Sequence, residues 1–296
     1  MKALKQVIYT ALVTFQAGIV VTGGAVRLTG SGLGCPTWPE CTPGSYTPVP
    51  HQVQGQLHSW IEFGNRLLTF VLILSILTAV IGVLRWRKQY PDQKKLLWLA
   101  LAQLLGVVAQ IVLGGITVLT HLNPITVGAH FLLSIILLAA SLSLRQRMLQ
   151  TPRILLSSTS TLLVRILLVL TAFVITLGTV VTGSGPHAGD IQAKRYHFDP
   201  RTVSWLHADS VIALIALTFA LVLLIKVSED VSHRSLIMRK VSLFLFICLA
   251  QGLIGYIQYF TGLPEALVAA HLLGADLVWL AIWNIAFTGK VLSKRI

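Results

Sequence analysis

An all-α integral membrane protein is the fold that this sequence predicts, with eight transmembrane helices arranged as two pseudo-symmetric four-helix bundles. Three observations carry that expectation. The 296 residues are 55% hydrophobic and only 11% charged, with a mean hydropathy of +0.79, which is not the composition of a soluble domain. Apolar runs recur at 7–27, 57–84, 96–119, 125–144, 161–183, 203–226, 241–261 and 265–288, each near the ~20 residues that a bilayer requires. The first run also returns in the fifth: Gly18-Ile-Val-Val-Thr-Gly-Gly reappears as Gly178-Thr-Val-Val-Thr-Gly-Ser, each leading into a loop and then into a histidine-bearing run.

The formal charge of +13 invites a nucleic-acid reading, which its distribution removes. Apart from Arg27, Arg66, Lys194, Arg195 and Arg201, every lysine and arginine falls on one side of an eight-helix trace, including Lys290, Lys294 and Arg295. That is the positive-inside bias of a multi-pass protein of the cell membrane, and it puts both termini in the cytoplasm. The first run has no small-residue cleavage site after it and is read as a retained span.

Taken in order, the first external loop, 28–56, is rich in Gly and Pro and therefore irregular. Cys35 and Cys41 sit there on the oxidising face, where a disulfide is the natural reading. A structural staple and a redox role both remain open for it. The second run opens with Leu57-His58-Ser59-Trp60-Ile61-Glu62-Phe63-Gly64-Asn65-Arg66. His58, Glu62 and Asn65 fall on one helical stripe with Arg66 beside it, and ionisable groups in a membrane helix mark a functional site. The basic, Pro-containing segment Arg145–Ser158 links an N-terminal half, 1–150, to a C-terminal half, 155–296. Small residues in Val-Val-Thr-Gly suit close helix packing. The second external loop, 185–200, has no cysteine, and Cys248 lies mid-helix as an inert core residue.

Each even-numbered run starts after a proline and carries a histidine soon afterwards: Pro50/His58, Pro124/His130, Pro200/His207 and Pro264/His271. Facing histidines on neighbouring helices clamp a haem iron between two imidazoles, whereas zinc favours Cys or carboxylate ligands at short spacing, which is absent here.

These residues together resemble the bacterial heme A synthase family. The likeness lies in Gly-Gly-Ala-Val-Arg-Leu-Thr-Gly-Ser-Gly-Leu-Gly-Cys-Pro at 23–36, the Cys35/Cys41 loop, Glu62-x-x-Asn65-Arg66, Gly128-Ala129-His130-Phe131, His207 and His271. The resemblance implies a membrane oxidoreductase that converts heme O to heme A, for cytochrome oxidase maturation, by oxidising the C8 methyl to a formyl group. It implies a permanent heme B in the C-terminal half, on His207 and His271, and the substrate haem in the N-terminal half. It also implies heme O synthase and an electron donor as partners, within membrane lipid.

One position departs from the family. The second helix there usually reads Glu-x-x-His-Arg, and this chain has Asn65 in place of the histidine. Counted from the preceding proline, His58 matches the other three histidines. Counted back from the first basic residue of the inner end (Arg85, Lys226, Lys290), Asn65 matches instead. His58 lies about 10 Å further out at ~1.5 Å per residue. His58 is therefore expected to contact the substrate haem with His130; the alternative is that His130 ligates alone and leaves an open iron position. Glu62 is expected to be the catalytic proton donor or acceptor, with Arg66 pairing it or a haem propionate. Asp209 and Asp276 are expected as supporting or interhelical groups. A di-haem electron-transfer cytochrome is the main rival function, and a transporter is disfavoured because the polar groups cluster at the external end.

Overall fold

The computed structural model describes residues 1–191 and 193–291; Lys294 and Arg295 lie outside the described residues. Among the described residues, eight helices are long and apolar enough to cross a membrane, and the chain is a multi-pass membrane protein. They are α1 (Lys2–Leu28), α2 (Gln56–Trp86), α3 (Gln93–Leu119), α4 (Pro124–Met148), α5 (Ser158–Ser184), α6 (Pro200–Ser228), α7 (Val231–Phe260) and α8 (Glu265–Thr288). Each extends to or beyond its apolar run at one or both ends, because a helical backbone satisfies its own hydrogen bonds through the interface until a cap stops it. Asn123 is such a cap: its side chain accepts from the Ile125 N–H at 3.0 Å, with Pro124 in the first turn.

The proline rule fails at α2. That helix starts at Gln56 behind Gly55 (φ 82°), six residues past Pro50, because 50–55 is drawn into the external loop: Gln52 donates from Nε2 to the Gly34 carbonyl at 2.5 Å. His58 is therefore in the first turn of its helix, whereas α4, α6 and α8 place their histidines in the second.

The chain forms two compact units. The first is Met1–Leu149 with Thr179–Pro200, and the second is Gln150–Gly178 with Arg201–Ile296. In the first unit α1 packs on α2 and α4, and α3 on α2 and α4, closing a four-helix ring. Its core gathers toward one end: Tyr9, Leu12, Leu72, Ile76, Val83, Leu96, Leu144 and Met148 are all buried. Lipid offers no hydrophobic gain for such contacts, so close packing and hydrogen bonds hold the helices. At Gly106 a Cβ would overlap the Leu137 side chain, and Gln103 donates from Nε2 to the Leu137 carbonyl at 3.0 Å.

At the other end, a second cluster of Leu33, Val118, Leu122, Ala188 and Ala193 lies beneath the loops. The 185–200 segment is tied to the first loop there. The Gly32 N–H donates to Gly189 O at 2.9 Å, and Arg27 donates to His187 O and Thr182 O at 2.5 and 2.7 Å.

In the second unit, α7 packs against α8 through Gly274, where a Cβ would overlap Gln251. The linker contributes a short strand the sequence did not suggest: β1 (Ile154–Leu156) pairs in parallel with β2 (Gly289–Val291). Glu229, buried nearby, accepts from the Ser157 N–H and hydroxyl at 3.1 and 2.8 Å, and Lys240 donates to Asn284 at 3.0 Å.

Candidate haem sites

The α2 stripe and the first loop form one network. Cys35 and Cys41 are joined in a disulfide, both fully buried. Glu62 is only 6% exposed, and each of its carboxylate oxygens has a donor. Oε2 accepts from the Cys35 N–H at 2.7 Å, and Oε1 accepts from Arg66 at 2.7 and 3.2 Å. Arg66 also donates to the carbonyls of Cys35, Thr37 and Glu40 at 2.9, 3.1 and 3.2 Å. Its guanidinium is thus shared between the carboxylate four residues before it and three carbonyls of the loop. The Cys35 N–H partner of Glu62 was not visible from helix periodicity, because it comes from a loop residue 27 positions away.

His58 shares this network. Its Nδ1 lies 2.9 Å from Ser31 Oγ, and a Cβ on Gly34 would overlap the His58 carbonyl. The first turn of α2 is clamped beneath the loop.

Asn65 is placed differently. Its Oδ1 accepts from Thr22 Oγ1 of α1 at 2.8 Å, and its Nδ2 lies 3.9 Å from where a Gly23 Cβ would stand.

The remaining three histidines obey one packing rule that sequence reading missed. A Cβ on Gly114, Gly178 or Gly255 would stand 3.3, 3.4 and 3.5 Å from Cε1 of His130, His207 and His271 respectively. Each imidazole lays its edge on a bare stretch of the preceding odd-numbered helix, which fixes the ring plane. The signal was present as a glycine at a matching place in each of these odd helices. Among the described residues, Nδ1 of His130 and of His271 is shielded and without a hydrogen-bond partner, and that of His207 is shielded beside the Val174 backbone.

In the second unit His207 and His271 face each other, ring centroids 6.4 Å apart at an interplanar angle of 72°. Two metal–imidazole bonds of ~2 Å and two nitrogen-to-centre distances of ~1 Å sum to about 6 Å, so the pair fits one iron held between them. Among the described residues no three His, Cys, Asp or Glu side chains converge. A two-imidazole arrangement suits a metal that brings its other ligands with it, as porphyrin iron does. Asp276, five residues after His271, is fully buried, and among the described residues neither of its oxygens has a hydrogen-bond partner. Asp209 is exposed.

Comparison with known proteins agrees in kind. A sequence model of the COX15-CtaA family, described as cytochrome oxidase assembly protein, matches residues 6–283. The chain is similar to a protein named heme A synthase from Geobacillus thermodenitrificans, 34% identical over 119 residues, which are 40% of this chain and 35% of the relative. It is similar to one of the same name from Geobacillus kaustophilus, 37% identical over 112 residues, 38% of this chain and 32% of the relative. A third, from Bacillus pumilus, is 34% identical over 137 residues, 46% of this chain and 42% of the relative. The chain thus matches well under half the length of each of these relatives.

Proposed function

The chain belongs to the cytochrome oxidase assembly protein family, and from that premise we propose that it is a heme A synthase, a membrane oxidoreductase that converts heme O to heme A. The reaction oxidises the C8 methyl to a formyl group. The observation that carries the reading is the His207–His271 pair at 6.4 Å, which fits a resident low-spin haem, assigned here as heme B. When bound, that haem supplies one-electron chemistry.

The chain's own residues do the rest. His207 and His271 hold the resident iron, their planes set by Gly178 and Gly255. His130, set by Gly114 in the first unit, is the protein ligand to the iron of the substrate heme O. Glu62 serves the substrate side as the proton-holding carboxylate. Arg66 occupies its Oε1, so Oε2, which has only the neutral Cys35 N–H, is the atom at which a proton is held. The same contacts also support a second role, in which Glu62 braces the disulfide loop against α2. The loop closes the external end and limits entry of water.

The protein lies in the cell membrane with its termini in the cytoplasm and the disulfide loop outside. Heme O synthase supplies the substrate, and a separate electron donor serves the resident haem. The test is expression in cells that make heme O but no heme A, followed by chromatography of the extracted haems. Heme A should appear with the chain and disappear in His207→Ala. Heme O alone, with two firmly held haems, would leave the di-haem electron-transfer cytochrome as the function.

A further inference from the structure

The disulfide loop of the first unit reaches past α2 and across to α3. On α2, Glu62 accepts from the Cys35 N–H at 2.7 Å, and Arg66 donates to the Thr37 carbonyl at 3.1 Å. The next residue, Trp38, lies on α3. A Cβ on Gly115 would stand 2.5 Å from Cδ2 and 2.6 Å from Cε2 of the indole, so a side chain there would unseat it. Four residues, 35–38, thus bridge the two helices.

The seat of Trp38 adjoins that of His130. A Cβ on Gly114 would stand 3.3 Å from His130 Cε1. The two glycines are consecutive, with α-carbons ~3.8 Å apart, a rise of ~1.5 Å and a turn of ~100° about the helix axis. Indole and imidazole therefore rest at one depth on adjoining faces of α3, the first brought from the side of α2 and the second from α4.

Two simpler roles fit Trp38 less well. A tryptophan of the membrane interface spreads over a lipid-facing surface, whereas this one is inserted over a buried glycine. A tryptophan that only fills a core is covered, whereas Trp38 remains 36% exposed, with surface to offer another group.

We infer that Trp38 is a substrate-contact residue: its indole walls the site on the α2 side of His130 and lies against the porphyrin of the substrate haem. The inference rests on the proposed haem function and deepens it, because it gives the disulfide loop a direct contact with the substrate. An aromatic ring against a porphyrin adds attraction beyond the area it buries.

The probe is iron protoporphyrin IX, titrated into the purified full chain that already carries its resident haem. Soret absorbance follows uptake of the second haem, and its Soret circular dichroism reports coupling to nearby aromatic rings. Trp38→Ala should raise the Kd of the second haem about tenfold and alter its dichroism. Trp38→Phe should hold the Kd within about threefold and still alter the dichroism. Gly115→Ala, which unseats the indole, should weaken binding as Trp38→Ala does, and the double variant should be no weaker than either. An unchanged resident-haem spectrum is the check on folding.

Unchanged dichroism in Trp38→Phe would overturn the inference, leave Trp38 as a wedge for the loop and let the proposed function stand; this variant decides alone if Trp38→Ala loses the resident haem. Additive losses in the double variant would overturn it as well. A wild type that takes up no second haem would remove the substrate site at His130 and the inference with it.

Discussion

The polar stripe of α2 and the imidazole pair of α6 and α8 are both expensive groups in membrane helices, and the protein provides for them in opposite ways. On α2 the charges are saturated from within: Glu62 has a donor on each oxygen, and Arg66 reaches the carboxylate and three loop carbonyls. In the second unit His271 Nδ1 and the Asp276 carboxylate are shielded without hydrogen-bond partners among the described residues, and His207 and His271 face each other across a gap of atomic-ion width. A buried polar group with protein partners holds the fold, whereas one left without them fits a ligand that completes it. His130 lies in the first unit but belongs with the second class, since its Nδ1 is also unpartnered.

The sharpest way to break this contrast is at the imidazole pair. His207→Ala or His271→Ala should eliminate the low-spin haem signal of the purified protein, leaving the helical content unchanged by circular dichroism. An unaltered spectrum in either variant would place the resident haem elsewhere.

The saturated stripe should answer with stability instead. Arg66→Gln strands the buried Glu62 and releases three carbonyls, so a loss of about 3–5 kcal/mol is expected, seen as a lowered midpoint of thermal unfolding in detergent. Glu62→Gln keeps an acceptor for the Cys35 N–H and should cost about 1–3 kcal/mol. It should retain the resident haem yet fail to yield heme A. Full yield would leave Glu62 only its bracing role, and recovery of yield in the Glu62→Gln, Arg66→Gln double variant would show that charge balance was all that mattered.

Replacing Cys35 and Cys41 by Ser opens a short loop, worth about 2 kcal/mol by loop entropy, and should reduce conversion only in part. In intact unreduced protein, an impermeant thiol reagent should label neither cysteine. The smallest effect is expected at Ser31→Ala, which removes the hydrogen bond to His58. About 1 kcal/mol should be lost with no change in any haem band. A spectral change there would move His58 from the clamped stripe to the ligand class.

How far these features could be read in advance depends on whether their cause is local. The eight spans were legible because bilayer thickness sets a requirement on length and hydropathy that each segment meets by itself. The meeting of His207 with His271 was legible because each is placed by a helix that starts at or just after a proline. The Cys35–Cys41 disulfide followed from two cysteines on one loop of the oxidising face.

Tertiary structure decided what non-local contacts impose. The loop folded back over α2, moved its start from Pro50 to Gln56 and put His58 under Ser31, so the two ways of counting depth diverged. Arg66 found the carbonyls of Cys35 and Thr37, 31 and 29 positions away, which no 3.6-residue period encodes. The segment 179–200 joined the first unit through Arg27 and Gly32, over 150 residues distant. Hydropathy along the chain specifies where a helix must lie in the membrane; which backbone groups its polar side chains meet is specified only when the loops close over it.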